Sequence, residues 1–101
     1  MKIMKGLWER ETTFRDDFTI ADMFGEKWII DTFKRSFQHW KNDIVFITEL
    51  AIVLNWKCWK HYDNGNMKYA KLYEKLRFEV NTWCMDNLKW KDRTYYLQKT
   101  D

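Results

Sequence analysis

The chain contains no proline and only three glycines, and its single serine is Ser36. Proteins built from many short strands need proline and glycine at their turns, so this composition favours helices. Three scattered glycines cannot form a phosphate-binding loop, and one serine on a predicted helix is a poor candidate for a nucleophile. The sequence therefore predicts no catalytic residue and no cofactor.

Cysteines and long apolar runs are also scarce. Two cysteines, Cys58 and Cys84, do not make a disulfide framework. The most apolar stretch, Ile44–Leu54, has 11 residues, whereas a membrane-spanning helix needs about 20 apolar residues. The first residues lack the apolar core and the cleavage site of a signal peptide. We therefore expect no membrane partner and a reducing, cytoplasmic location.

Charge of one sign does not dominate, because 18 basic and 15 acidic residues give a net charge of +3. This mild excess does not identify a nucleic-acid binder, and it argues against a DNA mimic, which needs a strongly acidic surface. Aromatic residues are abundant by contrast: seven Trp, seven Phe and five Tyr. So many aromatic side chains argue against disorder and indicate one domain with a substantial core.

The spacing of apolar residues predicts a single all-α domain over residues 1–101. The main helices are predicted at 26–41, 44–62 and 67–88, arranged as an antiparallel three-helix bundle with short helical appendages at both ends. The middle helix is apolar nearly all round, which predicts that its neighbours enclose it. Residues 1–18 have no clear period and are predicted to form an irregular arm.

Capping signals mark two helix starts. Thr19 followed by Asp22 resembles a capping box, which predicts a short helix at 20–25 that ends at Gly25. Asp43 is predicted to be the N-cap of the central helix.

Basic and aromatic side chains cluster in the last third of the chain. Basic groups track phosphates, and exposed aromatic rings stack on bases or anchor protein partners. The candidate binding residues are Lys68, Lys71, Lys75, Arg77, Lys89, Trp90, Lys91, Arg93, Tyr95 and Tyr96. Pairs such as Glu74–Arg77 and Lys75–Glu79 are also ordinary within a helix, so a solvated face is the competing interpretation.

Four residues could in principle bind zinc. Cys58, His61, Cys84 and His39 offer zinc-ligand atoms, but their spacing is not that of a zinc finger, and buried cysteine commonly acts as a small hydrophobe. We therefore predict no metal site.

Glu49, Asn55 and His61 lie on the apolar helix and could form an enzyme site if one pocket holds them together. A buried carboxylate has a raised pKa suited to acid–base chemistry. A structural role is favoured for Glu49, with Lys27, Lys34 or Arg35 as the partner of an ion pair. Asn55 is likewise expected to be a hydrogen-bonding residue between helices.

Four tryptophans stand near the ends of predicted segments, where little chain is available to cover them: Trp8, Trp28, Trp40 and Trp90. Exposed aromatic rings among mixed charges indicate a partner surface or a homodimer. The alternative is that the terminal segments fold back and bury them.

Five segments carry a resemblance to a known group of proteins: Asp31–Phe37, Thr48–Lys57, His61–Tyr62, Tyr69–Tyr73 and Tyr95–Asp101. Across residues 18–101 the chain resembles small uncharacterised helical proteins of phages and conjugative elements of Gram-positive bacteria. The resemblance implies no catalytic residues. It implies a setting in which small accessory proteins inhibit host defence, including anti-CRISPR proteins.

The leading hypothesis is thus a non-enzymatic binding or inhibitor protein of mobile-element origin, such as an anti-CRISPR protein that binds Cas9 or its guide RNA. The alternatives are a small nucleic-acid or nucleotide-binding protein and a homodimeric structural protein.

Overall fold

The described part of the chain is α-helical, as predicted. The computed structural model describes the backbone of residues 7–100 and the side chains of residues 14–100, and this part of the chain contains no strand. Its five helices are α1 (Leu7–Phe24), α2 (Glu26–Trp40), α3 (Ile44–Asp63), α4 (Met67–Asn87) and α5 (Trp90–Thr100). The predicted helices at 26–41, 44–62 and 67–88 correspond to α2, α3 and α4.

The central position predicted for α3 is confirmed, because α3 contacts each of the other four helices. Its most extensive interface is with α4. Asp43 is the N-cap, as expected: its Oδ1 accepts hydrogen bonds from the backbone N–H groups of Val45 (3.0 Å) and Phe46 (3.1 Å). The buried apolar residues of α3 are Ile47, Leu50, Ala51, Val53, Leu54 and Cys58.

The irregular arm predicted for residues 1–18 requires correction. Residues 1–6 lie outside the described part of the chain, but residues 7–18 belong to α1, a helix of 18 residues. This helix packs on α2 and α3. Its buried residues, at helical spacing, are Phe14, Phe18 and Ala21. The N-terminal element is therefore a full helix of the fold and not a short appendage.

The capping box predicted at Thr19 is also wrong. Thr19 lies inside α1, where its hydroxyl donates to the backbone carbonyl of Arg15 (2.8 Å), and residues 20–24 simply continue that helix. Gly25 does end it: with φ at 113°, this residue has a conformation that favours glycine, and the chain turns there from α1 into α2.

Aromatic contacts hold α2 against its neighbours. Trp40 at the end of α2 stacks on Phe46 of α3, with ring centroids 3.6 Å apart. Phe37 meets Trp83 of α4 edge-on, with centroids 5.8 Å apart. Among the described helices, none combines the length and apolar character required to cross a membrane.

Candidate functional site

The predicted binding residues fall into two groups at different places. The first group lies on α4, where Lys68, Lys71 and Lys75 are exposed. Lys68 forms an exposed ion pair with Glu26 of α2, with Nζ and Oε2 3.4 Å apart. A cleft of about 460 Å³ opens beside the other two lysines, lined by Lys71, Glu74, Lys75, Arg77, Phe78 and Asn81.

The second group lies where α4 ends and α5 begins, at residues 88–91, which we call the α4–α5 corner. Trp90 is 75% exposed, more than any other aromatic side chain that the structure describes. Lys89 and Lys91 are exposed on either side of it in the chain. A cleft of about 390 Å³ adjoins the corner, lined by Lys41, Asn42, Trp83, Asn87, Leu88, Lys89 and Asp92.

The two groups do not form one continuous surface. Lys68 and Lys89 lie near opposite ends of α4, about 30 Å apart at 1.5 Å per helical residue. The predicted surface that combines the lysines of α4 with Trp90 is therefore two separate sites.

Two further predicted residues lie on α5 just after the corner, and one of them contacts it. Arg93 is half-buried, and its Nη2 donates to the carbonyl oxygen of Leu88 (3.2 Å). This hydrogen bond fixes the path of the chain between the two helices. Tyr95 is also half-buried, and the ammonium group of Lys99 lies 5.7 Å from its ring centre.

Tyr96 is a correction to the predicted set, because it is fully buried and not available to a partner. Its hydroxyl donates to Oδ1 of Asn81 on α4 (2.8 Å). Burial, together with the neighbouring Cys84, raises the pKa of Tyr96. Tyr96 thus anchors α5 to α4 and remains a neutral hydrogen-bond donor at neutral pH.

A polar cluster that the sequence does not predict joins α1, α3 and α4. At its centre, Oδ2 of Asp22 is 2.5 Å from Nζ of Lys57 and 2.9 Å from Nε2 of His61. The hydroxyl of Tyr73 donates to Oδ1 of the same carboxylate and lies 3.4 Å from the carbonyl oxygen of Phe18. We call Asp22, Lys57, His61 and Tyr73 the Asp22 cluster.

The charged groups of the Asp22 cluster are largely buried, so their pairing matters for the stability of the fold. The side chain of Lys57 is 3% exposed and that of Asp22 is 15% exposed, so each charge depends on the other for compensation. Burial, and then the hydrogen bond to Asp22, raises the pKa of Tyr73 far above its ordinary value. The ring of His61 stacks on Tyr73 with centroids 5.5 Å apart.

Both oxygens of Asp22 are engaged by side chains of the same chain, so the cluster fixes the relative positions of three helices. One sequence signal for it exists: Lys57 and His61 are four residues apart and face the same side of an otherwise apolar helix. Their acidic partner could not be identified, because it lies in another helix, 35 residues before Lys57.

The residues weighed as a zinc site do not come together. No group of three or more His, Cys, Asp or Glu suited to a metal occurs among the described residues. Cys58 and Cys84 are buried free thiols, His61 binds Asp22, and His39 is an exposed residue beside Trp40.

The residues weighed as an enzyme site are also separated. Glu49 and His61 lie 12 residues apart on α3, about 18 Å along the helix axis. Glu49 is buried at 8% exposure, and Asn55 is half-buried. One pocket wall cannot present all three groups to a substrate.

A comparison with known proteins finds no match. No family model matches the chain, and no curated protein or solved structure is significantly similar to it.

Proposed function

We propose that the chain is a non-enzymatic binding protein of mobile-element origin, and that the α4–α5 corner is its partner surface. The observation that supports this proposal is the exposure of Trp90, which lies between two lysines in the chain and directly after Lys89, a residue that lines a cleft. An exposed tryptophan next to a concavity is typical of residues that dominate protein interfaces. Arg93 braces this corner through its hydrogen bond to Leu88, and such a constraint lowers the entropy cost of binding.

The surroundings of the corner favour a protein partner over a nucleic acid. Asp92 lines the cleft with Lys41 and Lys89, and Asp86 is exposed one turn before the corner. A nucleic-acid site needs a continuous basic track along the phosphates, which these carboxylates interrupt. The charges suit a protein surface that carries acidic groups around an apolar pocket for Trp90.

The resemblance to small phage and conjugative-element proteins supplies the setting. The proposed activity is inhibition of a host defence system in the cytoplasm, with a CRISPR effector such as Cas9 as the partner. The mild net charge of +3 supports direct binding to the effector, because imitation of DNA needs an acidic surface.

The test is a DNA-cleavage assay with guide-loaded Cas9 enzymes, together with a pull-down of each effector before and after its guide RNA is added. We expect the chain to bind at least one effector and to block cleavage, and Trp90→Ala to lose both effects. Trp59→Ala is the matched control, because Trp59 is 60% exposed but lies on α3 and not at the α4–α5 corner. Absence of binding and inhibition across the effectors would contradict the proposal, as would equal inhibition by both variants.

A second candidate function is nucleic-acid binding at the same corner, favoured by the two lysines that flank Trp90. Lysines contact phosphates and an exposed indole stacks on bases. This function predicts an affinity for RNA or single-stranded DNA that falls steeply with salt concentration. Titration with labelled oligonucleotides at two salt concentrations tests it, and binding that is absent or insensitive to salt excludes it.

A further inference from the structure

The exposed side of α4 has an unusual distribution of charge. Seven of the ten exposed residues of α4 lie along one stripe at helical spacing, and we call them the α4 face: Lys68, Lys71, Lys75, Phe78, Glu79, Thr82 and Asp86. All three lysines precede Phe78, and both carboxylates follow it. The face is thus basic in its first half and acidic in its second half, although Glu74 lies at its edge in the cleft beside the lysines.

This order opposes the dipole of the helix itself. The N-terminus of a helix favours carboxylates and the C-terminus favours cations. In α4 the first turn has no acidic residue and the last turn has no basic residue, while Lys68 and Asp86 occupy those turns. The charges therefore destabilise an isolated α4 slightly, so the helix dipole does not explain their arrangement.

The positions of the charges have a common centre. Lys75 and Glu79 lie two residues on either side of position 77, and Lys68 and Asp86 lie nine residues on either side of it. A second α4 that runs antiparallel across the first, with the symmetry axis at position 77, brings each of these lysines opposite a carboxylate. Such a self-complementary patch is the defining property of an interface between two identical subunits.

An apolar anchor lies next to this centre. Phe78 is 69% exposed, and a groove of about 460 Å³ runs beside it between α2 and α4. Its lining includes the rings of Phe37 and Trp83, with Glu79 and Asp86 among the remaining residues. A phenylalanine near the axis of a symmetric pair meets the same residue of the other copy, so that both rings are removed from water.

We propose that two copies of the chain pair through their α4 faces, antiparallel, about a two-fold axis near position 77. Lys75 of each copy faces Glu79 of the other, Lys68 faces Asp86, and the two Phe78 rings meet next to the axis. The exposed contact of Lys68 with Glu26 does not prevent this, because ion pairs on the surface contribute little. The dimer leaves Trp90 free, so this inference is independent of the proposed partner surface.

The test is sedimentation velocity of the purified chain across a range of concentrations, compared with four variants. We expect a dimer for the unsubstituted chain. Lys75→Glu places like charges on both sides of the axis, and we expect it to weaken the dimer by about tenfold or more. Phe78→Ser is also expected to weaken the dimer, because it removes the apolar anchor. Lys75 and Phe78 are both exposed, so neither substitution should disturb the fold.

The decisive variant exchanges the two charges: Lys75→Glu combined with Glu79→Lys. Because the exchange preserves complementarity across the axis, we expect it to restore the dimer that Lys75→Glu weakens. Lys34→Glu changes the net charge equally on the exposed side of α2 and should leave the dimer unchanged. A monomer at all concentrations would overturn the proposal. So would a dimer that is insensitive to Lys75→Glu and Phe78→Ser, or an exchange that fails to restore it.

Discussion

The ammonium group of Lys57 lies 2.5 Å from the carboxylate of Asp22, and this contact ties the central helix to the first helix. Because Lys57 is 3% exposed, the two charges depend on each other. Removing one member of a buried pair typically costs about 3–5 kcal/mol, since the other charge stays buried without compensation.

Asp22→Asn is therefore expected to lower the free energy of unfolding by about 3–5 kcal/mol, measured by urea denaturation. Adding Lys57→Met to this variant should recover most of the loss, because it removes the uncompensated charge while the introduced amide can still bond Tyr73 and His61. Asp31→Asn, on the exposed side of α2, serves as the control and should change little. A small effect of Asp22→Asn, or no recovery in the double variant, would show that the ion pair of Asp22 and Lys57 is not the main contact that ties α3 to α1.

Tyr73→Phe tests the hydrogen bond within the Asp22 cluster. The variant keeps the ring that stacks on His61 but removes the hydroxyl that donates to Asp22. Hydrogen bonds to charged groups contribute about 1.5–3 kcal/mol, and we expect a loss of this size in thermal or chemical denaturation. Tyr95→Phe, at a half-buried position on α5, should change stability by less than about 0.5 kcal/mol. Equal effects of the two variants would contradict the role assigned to Tyr73.

The sequence predicts α3 well and α1 poorly, for physical reasons. Apolar residues around the whole of α3 require neighbours on every side, whatever those neighbours are. In α1 the buried stripe of Phe14, Phe18 and Ala21 is present, but exposed Ile20, Met23 and Phe24 obscure its period. Local spacing cannot distinguish buried from exposed apolar residues, so it does not reveal this helix.

The predicted binding residues show the same limit of local spacing. The exposure of Trp90 follows from its place at a predicted helix boundary. The burial of Tyr96 does not, because it depends on how α5 meets α4 through Asn81. The Asp22 cluster cannot be predicted from local spacing, since its members meet only after three helices have packed.

Stability at high pH is a further prediction. Burial raises the pKa of the Cys84 thiol from 9.0 to about 12, although the neighbouring hydroxyl of Tyr96 offsets part of the rise. Between these values the folded chain keeps a proton that the unfolded chain releases. The contribution of this thiol to the free energy of unfolding should therefore be present in full below pH 9. Above pH 9 it should fall by about 1.4 kcal/mol per pH unit.

Tyr73 and Tyr96 add to this decline above pH 10, because burial raises the pKa of each hydroxyl as well. Denaturation curves recorded from pH 7 to 11 measure the effect. Cys84→Ala should be less stable at pH 7 but should show a shallower decline above pH 9. A decline of the same slope in both proteins would contradict the assignment to Cys84.

The reactivity of the thiols gives an independent check of the core. Cys58 is 5% exposed and Cys84 is fully buried, and burial raises the pKa of both thiols. At pH 8 we expect a thiol reagent to react slowly with the native chain and rapidly, with two thiols per chain, in denaturant. Thr82→Cys adds an exposed thiol, and in this variant we expect one thiol per native chain to react rapidly with the reagent. Rapid reaction of the unsubstituted native chain would contradict the described packing.

The claim that the α4–α5 corner binds a protein partner is tested most directly by hydrogen exchange on the complex with a CRISPR effector that the chain inhibits. We predict that amide exchange slows at residues 88–93 on binding and stays unchanged at the opposite end of α4, around residues 64–68. Protection confined to that opposite end, or to the α1–α2 turn, with unchanged exchange at residues 88–93, would contradict the account.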